Sequence, residues 1–205
     1  MAVMWACFLR TVYLDDEAFL LPIVSIRRGV VKMIYFTSDL HLGHNAVISM
    51  QNRPFANADE MNRVLINNYN SIVRENDTVY LLGDICYRIS VNEANELLAS
   101  LKGKKYLILG NHDKKYDKSL FEDIRDFMTI SENGLHISLM HYPMLSCPRS
   151  HYGSIMLHGH IHSDGSYNLS NREAGIKRYD VGVDANQYMP VSIEQIENFL
   201  NPQEL

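Results

Sequence analysis

Apolar positions recur with two different periods from Met33 onward. Short runs rich in β-branched and aromatic residues, "MIYFTS" (33–38), "TVYLLG" (78–83) and "KYLILG" (105–110), read as buried strands. Between the first two, Met61, Val64, Leu65, Tyr69, Ile72 and Val73 fall at helical spacing on one face. Between the second and third, Ser90 with Glu93 has the form of a capping box ahead of "ANELLASL", and Gly103 fits the helix stop. Two more strands are predicted at "LHISLMH" (135–141) and "SIMLHG" (154–159). A last helix, "IEQIENFL", starts behind a second box at Ser192 and Gln195. The β-α-β-α-β order of the first half favours parallel strands covered by helices, and the second half is richer in strands.

Residues 1–32 stand apart from this pattern. "AFLLPIVSI" is nine residues long with a proline inside, too short to span a bilayer. "MAVMWACFLR" lacks the basic leading region of a signal peptide. "MIYFTSDLH" from Met33 reads as a natural start, and "RRG" (27–29) is what a purine-rich ribosome-binding sequence would encode. The expectation is an N-terminal extension over 1–32, a translated leader or poorly ordered, and one domain over 33–205. The alternative for the extension is a strand or helix docked on that domain.

Composition narrows the class. A chain of 205 residues with 46% hydrophobic and 21% charged residues can bury a substantial core without staples. The net charge is −5 and no Lys/Arg block stands out, which argues against a protein that grips long nucleic acid through its phosphates. A small anionic substrate stays open, because bound cations reverse the local sign. Three scattered cysteines, Cys7, Cys86 and Cys147, fit a reducing cytoplasm and no disulfide framework.

The strand ends carry the candidate chemistry. The first leads into Asp39 and His41, the second into Gly83-Asp84, the third into "GNHD" (110–113). Later strands lead into His141 and into "HGHIH", with His158, His160 and His162. Ligands of open α/β sheets sit outside the carboxyl ends of the strands. Taken singly, D-x-H reads as a capped loop and "GD" is common. "GNHD" as an Asx turn leaves its histidine unexplained. His158, His160 and His162, spaced by one residue, would share one face of a regular strand, and three exposed imidazoles point to a bound metal. Glycine before Asp84, Asn111 and His160 lets the backbone turn sharply and approach closely.

The ordered blocks "SDLHLGH", "LLGDICY", "ILGNHD", "LMHYP" and "LHGHIH" resemble the signature of the calcineurin-like metallophosphoesterase superfamily, over about 33–193. The chain is most similar to a branch of small single-domain bacterial and phage members, on "NRPF" (52–55) and "VGVDA…PVS" (181–192). The resemblance implies a four-layer α/β/β/α sandwich, two mixed β-sheets packed face to face with flanking helices. It implies two divalent transition-metal ions: Mn2+, with Fe, Zn2+, Ni2+ or Co2+ as alternatives. Asp39, His41 and His162 would hold the first ion, and Asn111, His141 and His160 the second, with Asp84 bridging. A hydroxide between the metals would attack the phosphorus of a phosphomonoester or phosphodiester. His112 would face the leaving group as general acid or charge stabiliser, and Asp113 would orient it.

Some positions depart from the pattern or lie outside it. Tyr87 stands where many members have the last Asp of G-D-x-x-D. Cys86 reads as a packed core thiol. His44 and Arg53 are candidates for contact with a substrate phosphate, loop packing being the other reading of each. His158 reads as support for the ligands, and His136 and His151 as structural or exposed. The expected function is a cytoplasmic phosphoesterase acting on a small phosphate ester, with no membrane partner. A nuclease of the same superfamily and a silent metal-binding scaffold are the alternatives.

Overall fold

The computed structural model describes residues 32–202 except positions 114 and 133. The expectation for 1–32 therefore lies, apart from Lys32, outside the described residues. The first half runs β1 (Ile34–Thr37), α1 (Asn45–Met50), α2 (Ala58–Ile72), β2 (Thr78–Leu81), α3 (Val91–Ala99), β3 (Lys104–Ile108) and β4 (Asp123–Arg125). The second half runs β5 (Phe127–Glu132), β6 (Leu135–Met140), β7 (Ile155–His158), α4 (Ser166–Glu173), β8 (Arg178–Asp180), β9 (Val191–Ser192) and α5 (Ile193–Leu200). One sheet has the order β4-β3-β2-β1-β9, parallel except for β9. The other has the order β5-β6-β7-β8, parallel except for β5.

Alternation along β2 shows how the layers stack. Val79 and Leu81 face a core filled by Met61, Leu65 and Tyr69 of α2 and by Ala94 and Leu98 of α3. Tyr80 and the following Leu82 face the opposite core, with Ile137 and Leu139 of β6 and Ile155 and Leu157 of β7. The two sheets thus pack face to face, and α5 adds Ile193 and Ile196 to the layer between them. In that layer Phe36, Tyr80 and Tyr106 form a cross-strand ladder, with ring centroids 5.4 and 5.0 Å apart.

Among the described helices, α4 covers the outer side of the second sheet, tied to β8 where Asn168 accepts from the Asp180 N–H (2.6 Å) and donates to the Asp180 carbonyl (3.0 Å). Further along, a non-helical segment around Pro148 and Arg149 faces Thr129 and His136 across a crevice. No described helix is long and apolar enough to cross a membrane.

The strands and helices with strong periodicity appear where the pattern places them, to within three residues. Ser192 and Gln195 form a full capping box on α5, whereas the Ser90 side chain accepts from the Glu93 N–H (3.2 Å) at the start of α3. Asn45–Met50 form α1, a six-residue helix without a side-chain cap that the pattern does not show. Periodicity also missed β4, β8 and β9, which have three residues or fewer, the six-residue strand β5, and the polar helix α4. A helix signal needs more than two turns of apolar repeat.

Two glycines set how closely the first sheet's strand ends approach. A Cβ on Gly83 (φ +88°) would lie 2.6 Å from the Gly110 nitrogen, and one on Gly110 would lie 2.5 Å from the Asp84 nitrogen. Gly134 is also left-handed (φ +80°), but a Cβ there meets nothing within 4 Å. Gly134→Ala should cost about 1 kcal/mol of backbone strain, and Gly83→Ala about 2–4 kcal/mol, strain plus overpacking. Urea unfolding of both variants checks this. Equal losses would mean that close approach is not what Gly83 serves.

Candidate metal centre

Three of the five strands that lead into the candidate site, β1, β2 and β7, pass into left-handed backbone there. Asp39 (φ 56°), His41 (53°), Asp84 (53°), His160 (73°) and His162 (48°) all adopt left-handed conformations that a side chain disfavours. Hydrogen bonds between the loops hold them. The Asp39 N–H donates to the Gly83 carbonyl (3.0 Å), His41 N–H to Asp84 (3.0 Å) and Leu42 N–H to Ile85 (2.9 Å). The loop after β1 also reaches the second sheet: Ser38 pairs with Gly182 beyond β8, and the Val183 N–H donates to the Ser38 carbonyl (3.1 Å). The site therefore lies where the two sheets are stitched together.

There the structure brings together Asp39, His41, Asp84, His141 and His162. Ligand atoms of Asp39, His41 and His162 lie within 4.8 Å of one another, and so do those of Asp39, Asp84 and His141. His41 Nε2 is 3.2 Å from His162 Nε2, and His162 Nε2 is 3.8 Å from Asp39 Oδ1. Asp84 Oδ2 faces both halves, 3.7 Å from His41 Nε2 and 3.5 Å from His141 Nε2. Asn111 Oδ1 is 3.2 Å from His141 Nε2. The exposed His160 ring stands at the rim, edge-on to His141 at 5.1 Å, while its backbone N–H donates to Asp39 Oδ2 (2.9 Å).

Four expectations need correction. His158 does not share a face with His160 and His162. β7 ends at His158, the next residues leave the strand, and the His158 ring is fully buried against Tyr167. Arg53 does not reach toward a substrate. Its buried guanidinium binds Asp184 Oδ1 through Nε and Oδ2 through Nη2 (both 2.8 Å), and Nη1 and Nη2 donate to the carbonyls of Leu40 (3.0 Å) and Asp39 (2.8 Å). Asp113 does not hold the His112 ring. Its oxygens accept from the N–H groups of Asp84 (2.9 Å), Ile85 (3.0 Å) and Gly110 (2.8 Å) and from the Tyr116 hydroxyl (2.8 Å). Asp113 thus fastens two ligand loops together. Tyr87 is more than a lost contact: its ring lies between His44 (3.8 Å) and His112 (4.8 Å, 87°).

Asp184 is the residue that sequence reasoning missed. It accepts from His162 Nδ1 (2.7 Å) and so turns Nε2 toward Asp39. The signal was the acid in "VGVDA", just past an apolar run. His44 sits half-buried with Nδ1 3.4 Å from His41 Nδ1. Cys86 packs in the core, as expected.

The donor set fits a cation. Burial holds the His41 imidazole neutral down to about 3, and the Asp184 bond leaves a lone pair on His162 Nε2. Asp39 Oδ1 is buried without a hydrogen-bond partner. Against the effect of burial, the Asp184 and Asp39 carboxylates also raise the His162 pKa. In the neutral imidazole Nε2 is open to a ligand, and in the imidazolium its N–H faces His41 Nε2. A metal ion takes the place of that proton and gives Asp39 Oδ1 a partner. Burial opposes charge on Asp84, yet the His141 side chain and the His112 N–H hold it down at about 2, keeping it anionic.

Burial drives the Asp39 carboxyl up to about 6 in the metal-free chain. A carboxyl raised in the folded state stabilises the fold below its unfolded value near 3.8, and that contribution is lost as pH rises through about 6. The rise from 3.8 to about 6 corresponds to roughly 3 kcal/mol. His41 runs the other way over about 3 to 6.5, since burial lowers it, so wild type alone would blur the effect. Against Asp39→Asn, metal-free wild type should lose about 3 kcal/mol of relative stability between about pH 4 and pH 6. Urea titrations of the chelator-treated pair read this directly. A difference flat with pH would contradict the assignment of Asp39 as a buried acid lacking its cation.

Comparison with known proteins identifies the family. The family model of the calcineurin-like phosphoesterases matches residues 32–185. The uncharacterized protein MJ1445 of Methanocaldococcus jannaschii is 38% identical over 169 residues, covering 81% of this chain and 90% of its own. The gene 66 protein of Mycobacterium phage L5 is 28% identical, covering 82% and 93%. The crystal structure of AQ665 from Aquifex aeolicus, a protein of unknown function, superposes with a TM-score of 0.66 at 27% identity, covering 82% and 98%. This chain belongs to the calcineurin-like phosphoesterase family.

Proposed function

We propose that this chain hydrolyses a small phosphomonoester or phosphodiester with two divalent transition-metal ions, Mn2+ foremost. The observation that carries this reading is the position of Asp84 Oδ2, 3.7 Å from His41 Nε2 and 3.5 Å from His141 Nε2. One carboxylate oxygen thereby faces both halves of the donor cluster. Asp39, His41 and His162 would hold one ion, and Asn111, His141 and His160 the other, with Asp84 shared. When bound, the ions supply Lewis acidity at the phosphoryl oxygens and a water acidic enough to act as nucleophile.

The chain's own residues do the rest. His112 stands at the mouth, its side chain 38% exposed and its Nε2 3.9 Å from Asp84 Oδ2. It is close to the donor cluster without belonging to it, and it gives a proton from the imidazolium to the leaving oxygen. Tyr87 meets that ring edge-on and also packs against the His44 ring, which keeps both imidazoles beside the donor cluster. His44 is placed to contact the substrate phosphate. The net charge of −5 and the lack of a Lys/Arg block favour a small ester over long nucleic acid.

The test is turnover by protein stripped with chelator and reloaded with Mn2+. Nucleotides, cyclic nucleotides, sugar phosphates, bis-p-nitrophenyl phosphate and nucleic acid would be the substrates. Chelation should abolish activity and Mn2+ restore it. His112→Ala should lower kcat by about 10²–10⁴ on alkyl esters, and far less on p-nitrophenyl esters, whose leaving group needs no proton. Metal content should stay at wild-type level in that variant. Asp113→Asn should instead lower metal content and stability, because it frees two ligand loops. Equal loss on good and poor leaving groups would give His112 an electrostatic role in place of the acid. Cleavage of nucleic acid alone would make the protein a nuclease, and no turnover by loaded protein would leave only a scaffold.

A further inference from the structure

We infer that Arg53 and Asp184 form a positioning pair that sets the metal affinity of the Asp39–His41–His162 half of the centre separately from the other half. The inference rests on the reading that these three residues hold an ion, and it names what makes them competent to do so.

The geometry runs inward in two steps. Asp184 Oδ2 accepts from His162 Nδ1 at 2.7 Å, so the imidazole carries its proton on Nδ1 and offers the Nε2 lone pair to the site. Hydrogen bonding to a carboxylate also makes the imidazole a stronger ligand. Asp184 is in turn held by two parallel bonds from Arg53, Nε to Oδ1 and Nη2 to Oδ2, both 2.8 Å. The Arg53 side chain is fully buried and that of Asp184 is 7% exposed, so neither charge has solvent as a substitute.

The remaining N–H groups of Arg53 are also taken. Nη2 donates to the Asp39 carbonyl (2.8 Å), and Nη1 to the Leu40 carbonyl (3.0 Å) and to Met61 Sδ of α2 (3.4 Å). A guanidinium has five N–H donors, and five acceptors surround this one. It therefore grips the backbone at Asp39, one ligand, and the partner of His162, another. It also ties the loop after β1 to the residue beyond β8 that steers His162. Among the described residues, none of its hydrogen bonds goes to Asn111, His141 or His160. The selectivity follows from that one-sided wiring. A lysine keeps the charge but cannot present a planar fork to a carboxylate and two carbonyls at once.

Calorimetric titration of Mn2+ into metal-free protein tests this without any turnover. His162→Ala identifies which binding class belongs to the Asp39–His41–His162 half. Asp184→Asn and Arg53→Lys should weaken that class by about 10–100-fold, leaving the other within a few-fold of wild type. In a His162→Ala background, Asp184→Asn should weaken metal binding no further, because it acts through the imidazole. A merely structural ion pair would still lower affinity there. The zinc-loaded wild type should also show a slowly exchanging, downfield imidazole N–H proton from His162, which is readable even if a variant fails to fold. Equal weakening of both classes, no weakening in folded variants, or absence of that proton would overturn the inference. Wild type that binds no ion in the class assigned by His162→Ala would overturn the reading beneath it as well.

Discussion

Lone pairs crowd together at the seam between the two sheets, and the surrounding structure exists in large part to keep them there. His41 Nε2 and His162 Nε2 point at each other across 3.2 Å, and the buried Asp39 Oδ1 faces them with no donor of its own. Two ring nitrogens this close share a proton or a cation, and the raised pKa of His162 reports the pull toward positive charge at this point. A metal ion meets that demand and gives Asp39 Oδ1 a partner as well. The same crowding explains why strain concentrates here: five site residues hold left-handed backbones that loop-to-loop hydrogen bonds must enforce.

The enforcement comes from charged groups that stand behind the donor cluster. Arg53 and Asp184 secure the loop after β1 and the ring of His162. Asp113 secures the loops after β2 and β3 by accepting from Asp84, Ile85 and Gly110. Each uses a geometry that a point charge could not supply, either a planar fork or a carboxylate with several N–H groups converging on it. Behind them, the ladder of Phe36, Tyr80 and Tyr106 fills the layer between the sheets. The donor groups rest on strand ends backed by a packed core, not on free loops.

Much of this was legible in the sequence because the ligand residues sit immediately after apolar strands, where pattern and chemistry coincide. Asp39, Asp84 and His141 could each be placed at the carboxyl end of a predicted strand, although β6 joins a different sheet from β1 and β2. The supporting residues were harder. Arg53 and Asp184 are 131 positions apart, and nothing local says that one fork binds the other. Asp113 follows His112 in the chain, which suggested a contact between neighbours, but its side chain turns toward the strand-end amides. His158, His160 and His162 have the spacing of a strand face, but β7 stops at His158 and two left-handed residues break the alternation. Periodicity describes regular backbone, and functional sites of this kind are built where regularity ends.

The central claim is that one carboxylate, Asp84, is shared by two ions held in opposite halves of the cluster. Anomalous diffraction from crystals of Mn2+-loaded protein tests it most directly. The account predicts two peaks, one among Asp39, His41 and His162 and one among Asn111, His141 and His160, both in contact with Asp84. A single peak at full loading, or a second peak that does not touch Asp84, would contradict it.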